Sequence, residues 1–136
     1  MPEEAKSAKK PAPRKKGKKK VSLKKGVVYI NASYNNTIIS IADLAGNVLA
    51  SSSAGKLGFK GPKKSTPYAA GLVVKNLAEF VKNSGLQQAD VIIKGVGLGR
   101  EAAIRGLSAI GLQILSIKDR TPVPHNGPRP RRARRV

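Results

Sequence analysis

The sequence predicts an α/β domain on a mixed sheet, in the element order βββαβαβ, set between two basic extensions. Three observations carry this. Three short alternating segments joined by turns come first. Two helical stretches follow, each leading into another apolar strand. Charge, finally, is sorted to the ends: of 27 Lys+Arg and 7 Asp+Glu in 136 residues, residues 1–25 hold 11 and 2, and residues 119–136 hold 6 and 1. Blocks of like charge repel and bury little apolar surface, so the expected layout is a disordered Lys-rich arm (1–25), a globular α/β domain (26–118) and an extended Pro/Arg-rich tail (119–136).

Val27–Ala32 alternates as a half-buried strand with Val28, Ile30 and Ala32 on one face. Ser33-Tyr34-Asn35-Asn36 is turn chemistry, because Ser and Asn side chains bond to nearby backbone and Asn tolerates left-handed angles. Thr37–Ala42 is the second strand, with Thr37, Ile39 and Ile41 sharing a face. Asp43–Asn47 is another turn and Val48–Ser53 a third strand, so the first three form an antiparallel meander. Residues 54–66 are rich in Gly and Lys and fit neither period. Thr66-Pro67 opens a helix as N-cap and first helical residue. That helix runs to Ser84, buries Ala70, Val73, Val74, Leu77 and Val81, and stops at Gly85. Asp90–Lys94 is a strand, Gly95–Gly99 a glycine loop, and Glu101–Ile110 a short helix burying Ala103, Ile104, Leu107 and Ile110 before Gly111. Gln113–Lys118 is the last strand. Helical crossovers make the later strands parallel and right-handed. Prolines at 122, 124, 128 and 130 then exclude regular structure from the tail.

Several function classes fall away on composition. Zero cysteines exclude disulfides and thiolate metal sites and fit a reducing compartment. His125 is the single histidine and has no clustered co-ligand, so no metal is expected. No apolar run reaches membrane-spanning length, and the Lys-rich start does not resemble a secretory signal; a soluble cytoplasmic protein with no membrane partner is expected. The acids Asp43, Glu79, Asp90 and Glu101 form no pair, and no serine or histidine is spaced as nucleophile and base, so the chain is not expected to be an enzyme. No cofactor is expected either.

Three constellations point to an anionic partner. Lys56, Lys60, Lys63 and Lys64 are spaced by Gly55, Gly58 and Gly61 in a pliable loop able to follow a phosphate ribbon, and Ser65 and Thr66 close it at a helix N-terminus. The alternative is a merely solvated loop. Phe59, in the same loop, either stacks on a base or pins the loop to the core. The second constellation is Lys94-Gly95-Val96-Gly97-Leu98-Gly99-Arg100-Glu101. Its Gly97–Ala102 portion matches G-x-G-x-x-A, with Asp119 acidic at the end of the next strand, as in a dinucleotide site. That motif belongs after a first strand, however, and here it follows the fourth. The glycines at 95, 97 and 99 therefore either admit a phosphate or make a tight strand-to-helix turn. Arg100, at the positive end of the helix dipole, calls for a nearby anion or for screening by water. Third is the tail, with His125, Asn126, Gly127, Arg129, Arg131, Arg132, Arg134 and Arg135, whose guanidinium forks fit phosphates and stack on bases. Asn126 is also a candidate isoaspartate, because the missing side chain at Gly127 leaves its amide nitrogen accessible to the Asn126 side chain. A nucleic-acid-binding domain with anchoring arms follows; a DNA-compacting protein and a nucleotide-dependent enzyme are the readings from other classes.

The motifs Ser33-Tyr34-Asn35-Asn36-Thr37, Gly58-Phe59-Lys60-Gly61, Lys63 through Ala70, Lys94-Gly95 through Glu101, and Thr121 through Gly127 together resemble the universal small-subunit ribosomal protein eleven family, over roughly residues 26–136. The tail around His125-Asn126-Gly127 resembles the bacterial form. Val96 and Leu98 depart from it, standing where many members carry proline, as does Pro128, where cysteine is frequent. The resemblance implies a three-layer α/β/α sandwich on a mixed five-stranded sheet, seated on the platform of the small subunit in the ribosome. It implies a structural constituent that binds ribosomal RNA and joins separate RNA helices near the messenger RNA exit and the Shine-Dalgarno cleft. The partners it implies are small-subunit ribosomal proteins seven and eighteen, in some bacteria twenty-one, with messenger RNA and initiation factor three nearby.

Overall fold

Period-two alternation and period-3.6 stripes have one common solution: apolar strand faces and helix stripes share a core. The computed structural model describes residues 23–135, and the expected arm lies outside them up to residue 22. Strands β1 (Lys25–Ala32), β2 (Thr37–Ala42) and β3 (Val48–Ser53) precede helix α1 (Pro67–Ser84); then come β4 (Gln88–Lys94), helix α2 (Gly99–Ala109) and β5 (Gln113–Asp119). The sheet is mixed and five-stranded, in the order β3-β2-β1-β4-β5. β1 pairs antiparallel with β2 and parallel with β4; β2–β3 is antiparallel and β4–β5 parallel. Only β2 therefore runs against the other four.

One face of this sheet makes the core. Val28, Ile30, Ile39, Ile41 and Val91 are buried there against Ala70, Val73, Val74, Leu77 and Val81 of α1 and Ala103 and Leu107 of α2. Full burial of each Val, Leu or Ile contributes about 1.5–3 kcal/mol relative to exposure. The α1 stripe is the expected one. Thr66 caps α1 by accepting a hydrogen bond from the Ala69 amide at 3.3 Å, Pro67 fills the first turn, and Gly85 ends it in the left-handed conformation at φ 73°. In α2, Ile104 and Ile110 are only partly buried, on the margin of the core.

The layer count needs correction. α1 and α2 pack directly on each other, and a Cβ added at Gly106 would lie 3.1 Å from Val74. Both helices are thus on one face, so the described residues form two layers and not the implied three. The crossovers β3-α1-β4 and β4-α2-β5 both travel the same way across the sheet, and right-handed connections then place both helices on the same side.

Boundaries moved slightly. β1 starts at Lys25, not Val27, because Lys25 and Gly26 pair with Gln88 and Ala89, which likewise start β4 before Asp90. Leu23, expected in the arm, packs against the core and donates its amide to the Ser84 carbonyl at 3.0 Å. The 54–66 loop contains a 3-10 helix at Gly61–Ser65 that neither sequence period reveals.

Candidate nucleic-acid interface

Because β1, β3, β4 and β5 are mutually parallel, their carboxyl ends lie together at one end of the sheet. The turn after β1, the Lys-rich loop after β3, the glycine loop after β4 and the tail after β5 all leave from that end. This is where ligands gather in open α/β sheets. The sequence places these segments up to about a hundred residues apart; strand order joins them.

The turn after β1 is held by its own side chains. Ser33 Oγ donates to the Asn36 carbonyl at 3.0 Å and accepts from the Asn36 amide at 3.0 Å, leaving Tyr34 77% exposed. In the loop, Lys56, Lys60 and Lys63 are exposed and Lys64 is half-buried, with its Cδ 3.9 Å from the position of a Cβ on Gly55. Lys56 Nζ donates to the Ser51 carbonyl at 3.4 Å. Ser65 and Thr66 point their hydroxyls inward, donating to Pro62 and Lys63 carbonyls at 3.2 and 2.8 Å. Phe59 is partly buried against the core and meets Tyr68 edge-on at 6.2 Å and 82°. Of its two readings, the pin is the one its packing fits. Tyr68 instead is 71% exposed.

The glycine loop packs tightly on its own chain. The Gly97 amide donates to the Ala32 carbonyl at 2.8 Å, and the Gly95 amide to Thr121 Oγ1 at 3.2 Å. Gly95 has φ 101°, and a Cβ there would sit 2.3 Å from the Ala32 carbonyl oxygen; one at Gly97 would sit 2.3 Å from that of Ser33. A Cβ on Gly99 would meet Thr37 Oγ1 at 2.4 Å. Thr37 Oγ1 is itself buried without a hydrogen-bond partner. The glycines thus bring the α2 N-terminus against β1 and β2, and two of their amides are occupied by the protein.

Arg100 finds its anion within the chain. Its guanidinium pairs with Asp119 at the end of β5. Asp119 also accepts from the Thr121 hydroxyl at 2.5 Å and the Thr121 amide at 3.0 Å. These bonds, the Thr121 hydroxyl first, then its amide and Arg100, hold the exposed carboxyl at about 2, below its ordinary 3.8. The acidic residue that a dinucleotide site requires is therefore spent on orienting the tail. Beyond Thr121, the residues from Pro122 to Arg135, His125 and the five arginines Arg129, Arg131, Arg132, Arg134 and Arg135 among them, are exposed and without regular structure. Asn126 takes a left-handed φ of 58° beside Gly127.

Sequence reasoning gave no binding role to Tyr34 and Tyr68, exposed aromatics flanking the cationic loops, or to Arg120, which shares a groove on the sheet with Lys94. For Tyr34 a usable signal was present: an aromatic between Ser33 and Asn35 in a turn has little core to enter. Among the described residues no cluster of His, Cys, Asp or Glu suits a metal ion, and no helix is long and apolar enough to cross a membrane.

Cationic loops and an arginine tail converging on one end of a sheet define a protein that binds a polyanion by scaffold and charge. A family model for Ribosomal protein S11 matches residues 26–135. The chain belongs to this family, whose members are non-enzymatic, rRNA-binding structural proteins of the small ribosomal subunit with other ribosomal proteins as partners.

Proposed function

We propose that the chain is the bacterial form of this family. It occupies the platform of the small subunit and joins separate rRNA helices near the messenger RNA exit and the Shine-Dalgarno cleft. Its neighbours are small-subunit proteins seven and eighteen, and in some bacteria twenty-one, with initiation factor three docking nearby. The His125-Asn126-Gly127 tail supports the bacterial assignment.

The observation that carries the reading is the shared exit of loop 54–66, loop 95–98 and the tail from one sheet end. A rigid domain then spaces cations that reach different RNA segments at once, and the tail orders as it docks. Lys56, Lys60, Lys63 and Lys64 and the tail arginines neutralise phosphates, Tyr34 and Tyr68 stack on unpaired bases, and Gly95, Gly97 and Gly99 seat the loop and the α2 N-terminus beside them. At Asn126 the Gly127 amide nitrogen attacks the side-chain carbonyl and ammonia leaves, and water then breaks the succinimide at the Asn126 backbone carbonyl to give isoaspartate. Sedimentation of a lysate tests the reading: the chain is expected to travel with the small subunit and to leave it when Lys60, Lys63 and Lys64 and the four arginines from Arg131 to Arg135 are replaced by alanine. Migration as free protein, or with duplex DNA, overturns it.

A further inference from the structure

The sheet face opposite the helices is bare among the described residues. Its rows follow from the strand register: Tyr29 stands between Ser40 of β2 and Ile92 of β4, and Asn31 between Ile38 and Lys94. With Arg120 at the rim, these side chains line an open groove of about 480 Å³. Tyr29 is 37% and Ile38 40% exposed, although an outward sheet face in contact with water ordinarily carries polar residues. Tyr29 and Ile38 thus keep apolar surface open to a ligand within the groove.

The charge on this face says which ligand. No carboxylate lines the groove, and the ion pairs among the described residues are Arg100–Asp119 and Arg105–Glu101, which leave Lys94 and Arg120 unneutralised. Lys118, beside Ile92 on β5, adds a third cation. The acid on the same face, Asp90, is engaged by the Ser116 hydroxyl at 2.9 Å. A second copy of this chain would set like charges against each other.

We propose that this open face is a further RNA-binding surface, separate from the two loops and from the arginine-rich tail beyond Thr121, and that it takes a single-stranded segment of ribosomal RNA. Tyr29 offers a ring for a base to stack on; Asn31 and Ser40 present donors and acceptors to base edges; Lys94, Lys118 and Arg120 take the flanking phosphates. An unpaired strand fits where a helix does not, because bases inside a duplex have their faces covered by stacked neighbours and their edges by pairing. The groove lies at the carboxyl ends of β1 and β4, so a strand leaving the cationic loops passes directly onto it. The inference rests on the rRNA-binding reading and extends it to the open sheet face and to Arg120 at the root of the tail.

The test uses the full chain and small-subunit rRNA. Ultraviolet cross-linking followed by peptide mapping is expected to place a nucleotide on Tyr29. The double variant Lys94→Ala/Arg120→Ala, which alters two unpaired side chains at the rim, is expected to bind about tenfold more weakly. Its log K against log salt slope is expected to be shallower by roughly 1.4, the share of two charges on a single strand. Tyr29→Phe keeps the ring and is expected to bind as the parent chain does. If the double variant keeps parental affinity and slope while cross-links stay within residues 54–66 and 122–135, this surface is refuted and the rRNA-binding reading stands. Cross-links from Tyr29 to protein in assembled subunits refute it as well. A parent chain with no rRNA affinity removes both.

Discussion

Arg100 at the start of α2 is paired with Asp119 at the end of β5, and Thr121 closes the arrangement by bonding both Asp119 and the Gly95 amide. The tail thus leaves the domain from a fixed point and in a fixed direction, although nothing beyond it is regular. A basic helix terminus that looks repulsive in sequence is neutralised by a carboxylate 19 residues away.

This arrangement sets a pH response. Asp119 has a folded value of about 2 against an ordinary 3.8, so its contribution is present in full above the ordinary value and is lost as pH falls through the folded one. Carbon-detected NMR should find Asp119 still ionised at pH 3. Thr121→Val and Arg100→Ala should each move its midpoint up, because the Thr121 hydroxyl and the Arg100 guanidinium both hold the carboxylate. A midpoint unmoved in either variant would contradict the assignment.

Gly95→Ala should be strongly destabilising. The new methyl meets the Ala32 carbonyl oxygen at 2.3 Å from a backbone φ of 101°, so both strand and loop must shift. A loss of about 2–4 kcal/mol is expected by urea denaturation. Gly111→Ala, at φ 93° with nothing within 4 Å, carries only the backbone strain and should cost less, about 1–2 kcal/mol.

Gly99 and Thr37 should be coupled. Gly99→Ala drives a methyl into the Thr37 hydroxyl, and the expected cost is about 1–3 kcal/mol. In a Thr37→Ala background the hydroxyl and methyl are gone, and the same substitution should cost measurably less. Thr37→Val removes an unpartnered buried hydroxyl and should be neutral or stabilising by about 1 kcal/mol. Additive losses in the double variant would show that the two side chains do not meet.

Assembly should be steeply salt-dependent. If ten phosphates are neutralised, log K against log salt should fall with a slope of roughly −7 to −9. Alanine at Arg131, Arg132, Arg134 and Arg135 should flatten that slope by roughly 3–4 and weaken binding. Glu79→Ala, on the exposed side of α1, should change neither. Filter binding between 50 and 300 mM salt measures all three chains.

Asn126 should convert slowly to isoaspartate. Peptide mapping of aged protein is expected to show the modified form at this asparagine and to find Asn35 and Asn83 intact, because neither precedes a glycine. An unmodified Asn126 after prolonged incubation at pH 8 would exclude the conversion.

By itself the sequence determined every element whose cause is local. β2, β3 and α1 start and stop where alternation, the Thr66-Pro67 cap and Gly85 place them, since those signals act within a few residues. The convergence of cations on one sheet end, the face shared by both helices, the Arg100–Asp119 pair and the bare groove around Tyr29 were decided only in three dimensions. Each depends on strand order and crossover direction, and so joins residues that no short window of sequence brings together.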